Sequence, residues 1–186
     1  MFAVHRAKVK EFTDYGLGFM GHPSNHALKF FIFLLQIAAM NLFEPAAAQE
    51  ILSRIDGIKA NTPAAWGKMN AAQMMAHCQA TFNAYFKEEK VKRGLMSILF
   101  GKIAKKKLFS NKPWPKGLPT DRTYVVKDER NFMVEKEKLT ASIKHFAEEG
   151  YTVTERVHPF FGKMSSQEWA TLGYKHLDHH LKQFGV

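Results

Sequence analysis

Apolar side chains recur every three or four residues along four separate stretches of this chain, and no comparable run alternates apolar with polar. That period belongs to helices with one buried face. After Pro45, Ala48, Ile51, Leu52, Ile55 and Ile58 keep the helical spacing, with the proline suited to the first turn. A second helix opens at Asn70, where Gln73 completes a capping-box pattern, and runs to about Lys87 with Met74, Cys78, Thr81, Phe82 and Tyr85 inward. The third spans Asp128 to Glu149, carries Phe132, Leu139, Ile143 and Phe146 on one side, and is stopped by Gly150. A short extended piece over 151–157 leads to His158-Pro-Phe-Phe-Gly, and Ser165 with Glu168 caps a last helix reaching about Phe184. Four such helices predict an all-α fold, a four-helix bundle.

Between helices two and three lies a long, basic connection. It holds an amphipathic helical stretch, 95–109, and then Pro113, Pro115, Gly117 and Pro119. The formal charge of +10 and pI near 9.7 suit an anionic partner: nucleic acid, lipid surface or acidic small molecule. Lys102, Lys105, Lys106 and Lys107 beside Phe100, Phe109 and Trp114 superficially suit phosphate contacts with stacking. A charge run is ordinarily the solvated face of a helix, here covering Leu95, Ile98, Leu99 and Ile103, so specific nucleic-acid binding is not expected. Cys78 is the sole cysteine, which excludes an internal disulfide and a thiolate-rich metal cluster and suits a reducing compartment.

The apolar run 30–39 is too short to span a bilayer, for which roughly 20 residues are needed. Ala46-Ala47-Ala48 resembles a signal cleavage site, but Asn41, Glu44 and Pro45 interrupt the approach to it. Residues 1–39 therefore read as an N-terminal extension and 40–186 as the domain, with Met40 a candidate natural start. A cytoplasmic protein without a transmembrane anchor is expected. There is no phosphate-binding glycine loop and no Gly-x-Ser-x-Gly elbow.

The last helix carries the chemistry. At about 100° per residue, Trp169, Leu172, Gly173, His176, His180 and Gln183 share its inward side. Two imidazoles stacked at i and i+4 among Trp and Leu must be satisfied by hydrogen bonds or hold something. His77, at the edge of the apolar face of helix two, offers a third nitrogen from a facing helix. Three neutral nitrogens with an open position form the catalytic pattern of zinc-like ions. Leu177 stands where a zinc protease needs its general-base Glu, so peptide hydrolysis by that route is disfavoured. His179 points about 80° away, toward a helix seam or solvent. Gln183, Gln73 and His158 are the candidates for orienting a ligand or touching substrate, though for His158 a turn role is the simpler reading.

The segments His158-Pro-Phe-Phe-Gly-Lys, Glu168-Trp and Lys175-His-Leu-Asp-His-His-Leu-Lys-Gln-Phe-Gly185 resemble the DinB-like superfamily of bacterial metal-binding four-helix bundles. Trp66-Gly-Lys-Met, Ala76-His77-Cys-Gln, the basic 100–107 stretch and the 112–119 loop are similar to an uncharacterised branch of it. The resemblance covers about residues 40 to 186. It implies a divalent metal (zinc, nickel or iron) on His77, His176 and His180. It also implies a small-molecule substrate, and relatives often pair as homodimers. Characterised relatives include metal-dependent transferases that use low-molecular-weight thiols, and maleylpyruvate isomerases. The expectation is a thiol S-transferase acting on small electrophiles, against the alternative of a non-enzymatic bundle that binds a metal or a partner.

Overall fold

A computed structural model describes residues 40–87, 94–110, 112–118, 120, 124–152 and 154–186. The expected extension over 1–39 lies outside the described residues. The described chain is mostly helical: α1 Pro45–Gly57, α2 Ala71–Phe86, α3 Leu95–Leu108, α4 Phe132–Glu149 and α5 Ser166–Gln183. One small antiparallel hairpin, β1 Glu155–His158 and β2 Gly162–Ser165, precedes α5.

Local chemistry sets the helix ends. Asn70 accepts from the Gln73 amide while the Gln73 side chain accepts from the Asn70 amide, so both orphan donors at the start of α2 are paired. Ser165 and Glu168 do the same for α5. The third long helix starts later than its sequence suggests. Asn131 caps it at Val134, while Asp128 stays outside, its carbonyl accepting from Gln73 and its carboxylate pairing with Arg130.

Helices α1, α2, α4 and α5 enclose one core. α2 packs on α4 and α5, and α1 packs on the same two helices. Ile51, Ile55, Met74, Met75, Phe82, Tyr85, Leu139, Ile143, Phe146 and Trp169 are essentially inaccessible there. Each such side chain contributes about 1.5–3 kcal/mol relative to exposure. Phe146 is the hub, with ring centroids of Phe43, Phe82 and Tyr85 within 5.4 Å. Arg54 of α1 ties down the C-terminus by bonding the Asp178 carboxylate and the Val186 carbonyl.

Two further features depart from the sequence reading. The extended piece before His158 pairs with 162–165 into a hairpin. Only Gly162 and Met164 of β2 are buried, an alternation too brief to register as a strand. Arg156 anchors it, donating to the Tyr85 carbonyl and lying 4.4 Å from the Tyr85 ring centroid. The second departure is α3. Leu95, Ile98, Leu99 and Ile103 are not covered by a lysine face; they are 57–70% exposed. The buried side of α3 is instead Ser97 and Gly101, whose small side groups let the helix sit close to the hairpin.

Candidate metal centre

His77 sits in the second turn of α2, and His176 and His180 one turn apart in α5. Packing of α2 on α5 brings the three rings together, with centroids 4.8–5.0 Å apart in every pair and planes nearly perpendicular. One nitrogen from each lies within 4.8 Å of the others. The Nε2 atoms of His77 and His176 are 3.1 Å apart.

Each ring is held from behind at Nδ1. His77 Nδ1 lies 2.9 Å from the Tyr124 carbonyl, His176 Nδ1 2.8 Å from Thr81 Oγ1, and His180 Nδ1 2.8 Å from Gln183 Oε1. These partners decide the tautomers. A carbonyl only accepts, so His77 carries its proton on Nδ1 and presents a bare lone pair at Nε2. The Gln183 amide nitrogen donates to the Trp66 carbonyl, which turns its oxygen toward His180. His180 therefore also protonates at Nδ1 and leaves Nε2 free. Thr81 can accept or donate, so the His176 proton has a choice of nitrogen.

Burial holds the rings neutral. His77 and His180 are buried and His176 keeps some accessible area. Desolvation dominates all three and lowers every pKa. His180 falls to about 4, and the Gln183 bond only partly offsets this. His77 is lowered despite the Tyr124 bond, and His176 is driven well down by burial and then by the neighbouring imidazoles.

This donor set fits a cation. Metal–imidazole bonds near 2.1 Å place tetrahedral nitrogens about 3.4 Å apart, close to the His77–His176 spacing. Neutral rings with fixed outer hydrogen bonds are the usual surroundings of such sites.

Of the remaining sequence candidates, Gln183 stands directly behind His180. Gln73 does not join the cluster: its side chain serves the α2 cap and the Asp128 carbonyl. His158 is a turn residue at the end of β1. Its Nδ1 accepts from the Phe160 and Phe161 amides, and its ring lies against Phe161 and Trp169. His179 lies in a seam between Trp66 and Trp114, 5.8 and 5.9 Å from their rings. Cys78 is buried beside Met74, and desolvation pushes its thiol up, away from thiolate chemistry.

Three contributors escape sequence reasoning. Thr81 had a signal, one turn after His77 on the same face. The Tyr124 carbonyl had none, because a backbone atom carries no residue identity. Trp114 reaches over His176 at 6.2 Å from the irregular connection, fixed by its indole bond to the Leu108 carbonyl.

A family described as protein of unknown function (DUF1569) matches residues 40–185. The chain belongs to the DUF1569 family. No curated protein and no solved structure matches it. The matched DUF1569 span contains every residue of the triad and every group that bonds its Nδ1 atoms. Among the described residues, no helix is long and apolar enough to cross a membrane.

Proposed function

We propose that this DUF1569 protein is a DinB-like four-helix-bundle enzyme that uses a divalent metal, zinc, nickel or iron, held by His77, His176 and His180. Its reaction class is transfer of a small thiol to an electrophilic small molecule. The observation carrying this is the convergence of three neutral imidazoles whose Nδ1 atoms are all engaged, two of them by pure acceptors. Three protein nitrogens leave a coordination position for a substrate, which distinguishes catalytic from structural sites.

A cation bound there supplies Lewis acidity that lowers the pKa of a thiol, as such ions do for water. The protein's own groups do the rest. Gln183 and the Tyr124 carbonyl fix two tautomers. Thr81 can accept from His176 Nδ1–H, the arrangement in which that ring's Nε2 is free for the cation. The indoles of Trp114 and Trp66 flank His179 beside the triad. Lys116, whose ammonium lies 4.6 Å from the Trp66 ring centroid, offers a positive charge to a carboxylate-bearing thiol.

Elemental analysis of untagged protein should find about one divalent ion per chain, and His176→Ala should abolish it. Full metal occupancy in that variant sinks the assignment. A screen of thiols against electrophiles then tests the reaction. Metal that raises the melting temperature without turnover across the panel replaces the enzyme reading with a metal-stabilised, non-enzymatic bundle.

A further inference from the structure

Helix α3 is built inside out. About 100° per residue places Leu95, Met96, Leu99, Phe100 and Ile103 within an arc of about 140°. These five are 48–70% exposed. The opposite side, Ser97, Gly101 and Ala104, faces the protein. There the Ser97 hydroxyl is shared between the Pro159 and Phe160 carbonyls, and Lys105 pairs with Glu168 and the Lys163 carbonyl. The helix is thus pinned by polar bonds while its largest apolar side chains face outward. Contiguous apolar surface of this kind marks a binding face.

Charge decides what it binds. Lys102, Lys106 and Lys107 are exposed at the C-terminal end of the same strip. Residues 87 to 107 carry eight Lys or Arg against two Glu, in a chain of net charge +10. Self-pairing fits poorly. A parallel pair of α3 helices sets lysines against lysines, and an antiparallel pair lays them over the partner's Leu95 and Met96. An anionic bilayer accepts both parts, with acyl chains under the apolar strip and lipid phosphates at the lysines. At about 21 Å the helix is the length of an interfacial element rather than a span.

We infer that α3 docks the protein on anionic membrane surfaces. It would do so peripherally, with the apolar strip inserted at the headgroup boundary. The docking helix adjoins the histidine cluster: the Leu108 carbonyl at its end accepts from Lys175, next to His176, and from Trp114. The inference does not depend on the metal.

The test is co-sedimentation of the full chain with vesicles of phosphatidylcholine alone or mixed with phosphatidylglycerol. Partitioning should favour the phosphatidylglycerol vesicles and weaken with salt. Leu99→Glu with Ile103→Glu should lower it more than tenfold, and each of Lys102→Ala, Lys106→Ala and Lys107→Ala by about fivefold. All five side chains are exposed, so unchanged circular-dichroism melting should accompany the loss. Three results overturn the inference. One is no partitioning at low salt. Another is partitioning untouched by the glutamate pair, which assigns binding to another segment such as the apolar 30–39 run. The third is a dimer that the glutamate pair dissolves while vesicles bind nothing.

Discussion

Gln183→Met isolates what one outer hydrogen bond contributes to the candidate metal centre. Gln183 is 3% exposed and bridges two groups, accepting from His180 Nδ1 and donating to the Trp66 carbonyl. Methionine matches its length without branching and removes both bonds, while the backbone bond from Ala65 N to the Gln183 carbonyl survives. An unpaired buried donor and acceptor cost about 1–3 kcal/mol of folding stability. The ring then loses its orientation and the fixed proton that keeps Nε2 bare. Changes of this kind weaken metal binding about 10–100-fold, or about 1.4–2.8 kcal/mol. Zinc competition against a chromophoric chelator at neutral pH reads the second quantity, and chemical denaturation of the metal-free protein reads the first. Gln183→Glu separates the two roles. A carboxylate still accepts from His180 but cannot donate to Trp66, so stability should fall while zinc affinity holds. Gly67→Ala should move in the same direction as the methionine change. Its backbone is left-handed, and an added Cβ would stand 2.6 Å from Gln183 Nε2. Unaltered zinc affinity in a destabilised Gln183→Met protein would refute the reasoning, leaving Gln183 as a structural bridge only.

Further outcomes follow from the same geometry. Zinc at about one hundred times its dissociation constant should add about 2.7 kcal/mol to stability. That is a rise of roughly 5–10 °C in Tm by calorimetry for a chain of this length, absent in His77→Ala. His158 has its folded pKa lowered by burial to about 4, against roughly 6.5 unfolded. The unfolded chain therefore binds the extra proton between those values. Stability is complete above pH 6.5 and should fall by roughly 3 kcal/mol as pH drops to 4, with His158→Asn flattening the slope in denaturation measured against pH. Phe146→Ala, at the aromatic hub, should cost about 3–5 kcal/mol in urea unfolding. Asn70→Ala removes the cap of α2 and should cost about 1 kcal/mol by the same measurement.

What was legible in the sequence is what depends on near neighbours. Helix caps close over three residues, so Asn70 with Gln73 and Ser165 with Glu168 announced two starts, and both capping boxes form. A four-residue spacing puts His176 and His180 on one face whatever surrounds them, because helical geometry is local. The inward stripes of α2, α4 and α5 were readable for the same reason. Each helix must bury one continuous face, and Phe82, Tyr85, Leu139, Ile143, Phe146 and Trp169 all do so.

Tertiary structure alone decided the rest. Nothing in the sequence says which backbone carbonyl stands behind His77, since the Tyr124 oxygen arrives from a connection with no period. The hairpin at 155–165 is too short for alternation to stand above chance, and it holds through the bond from Arg156 to the Tyr85 carbonyl of α2 and through Met164 in the core. In α3 the pattern misled. Amphipathicity states that two faces differ, and the apolar one is usually turned inward by the hydrophobic effect. Here Ser97 and Lys105 find partners on the hairpin and on α5, and only the small-residue side fits so close to the chain beneath. Sequence therefore determined that α3 has an apolar face, and packing determined that this face looks out.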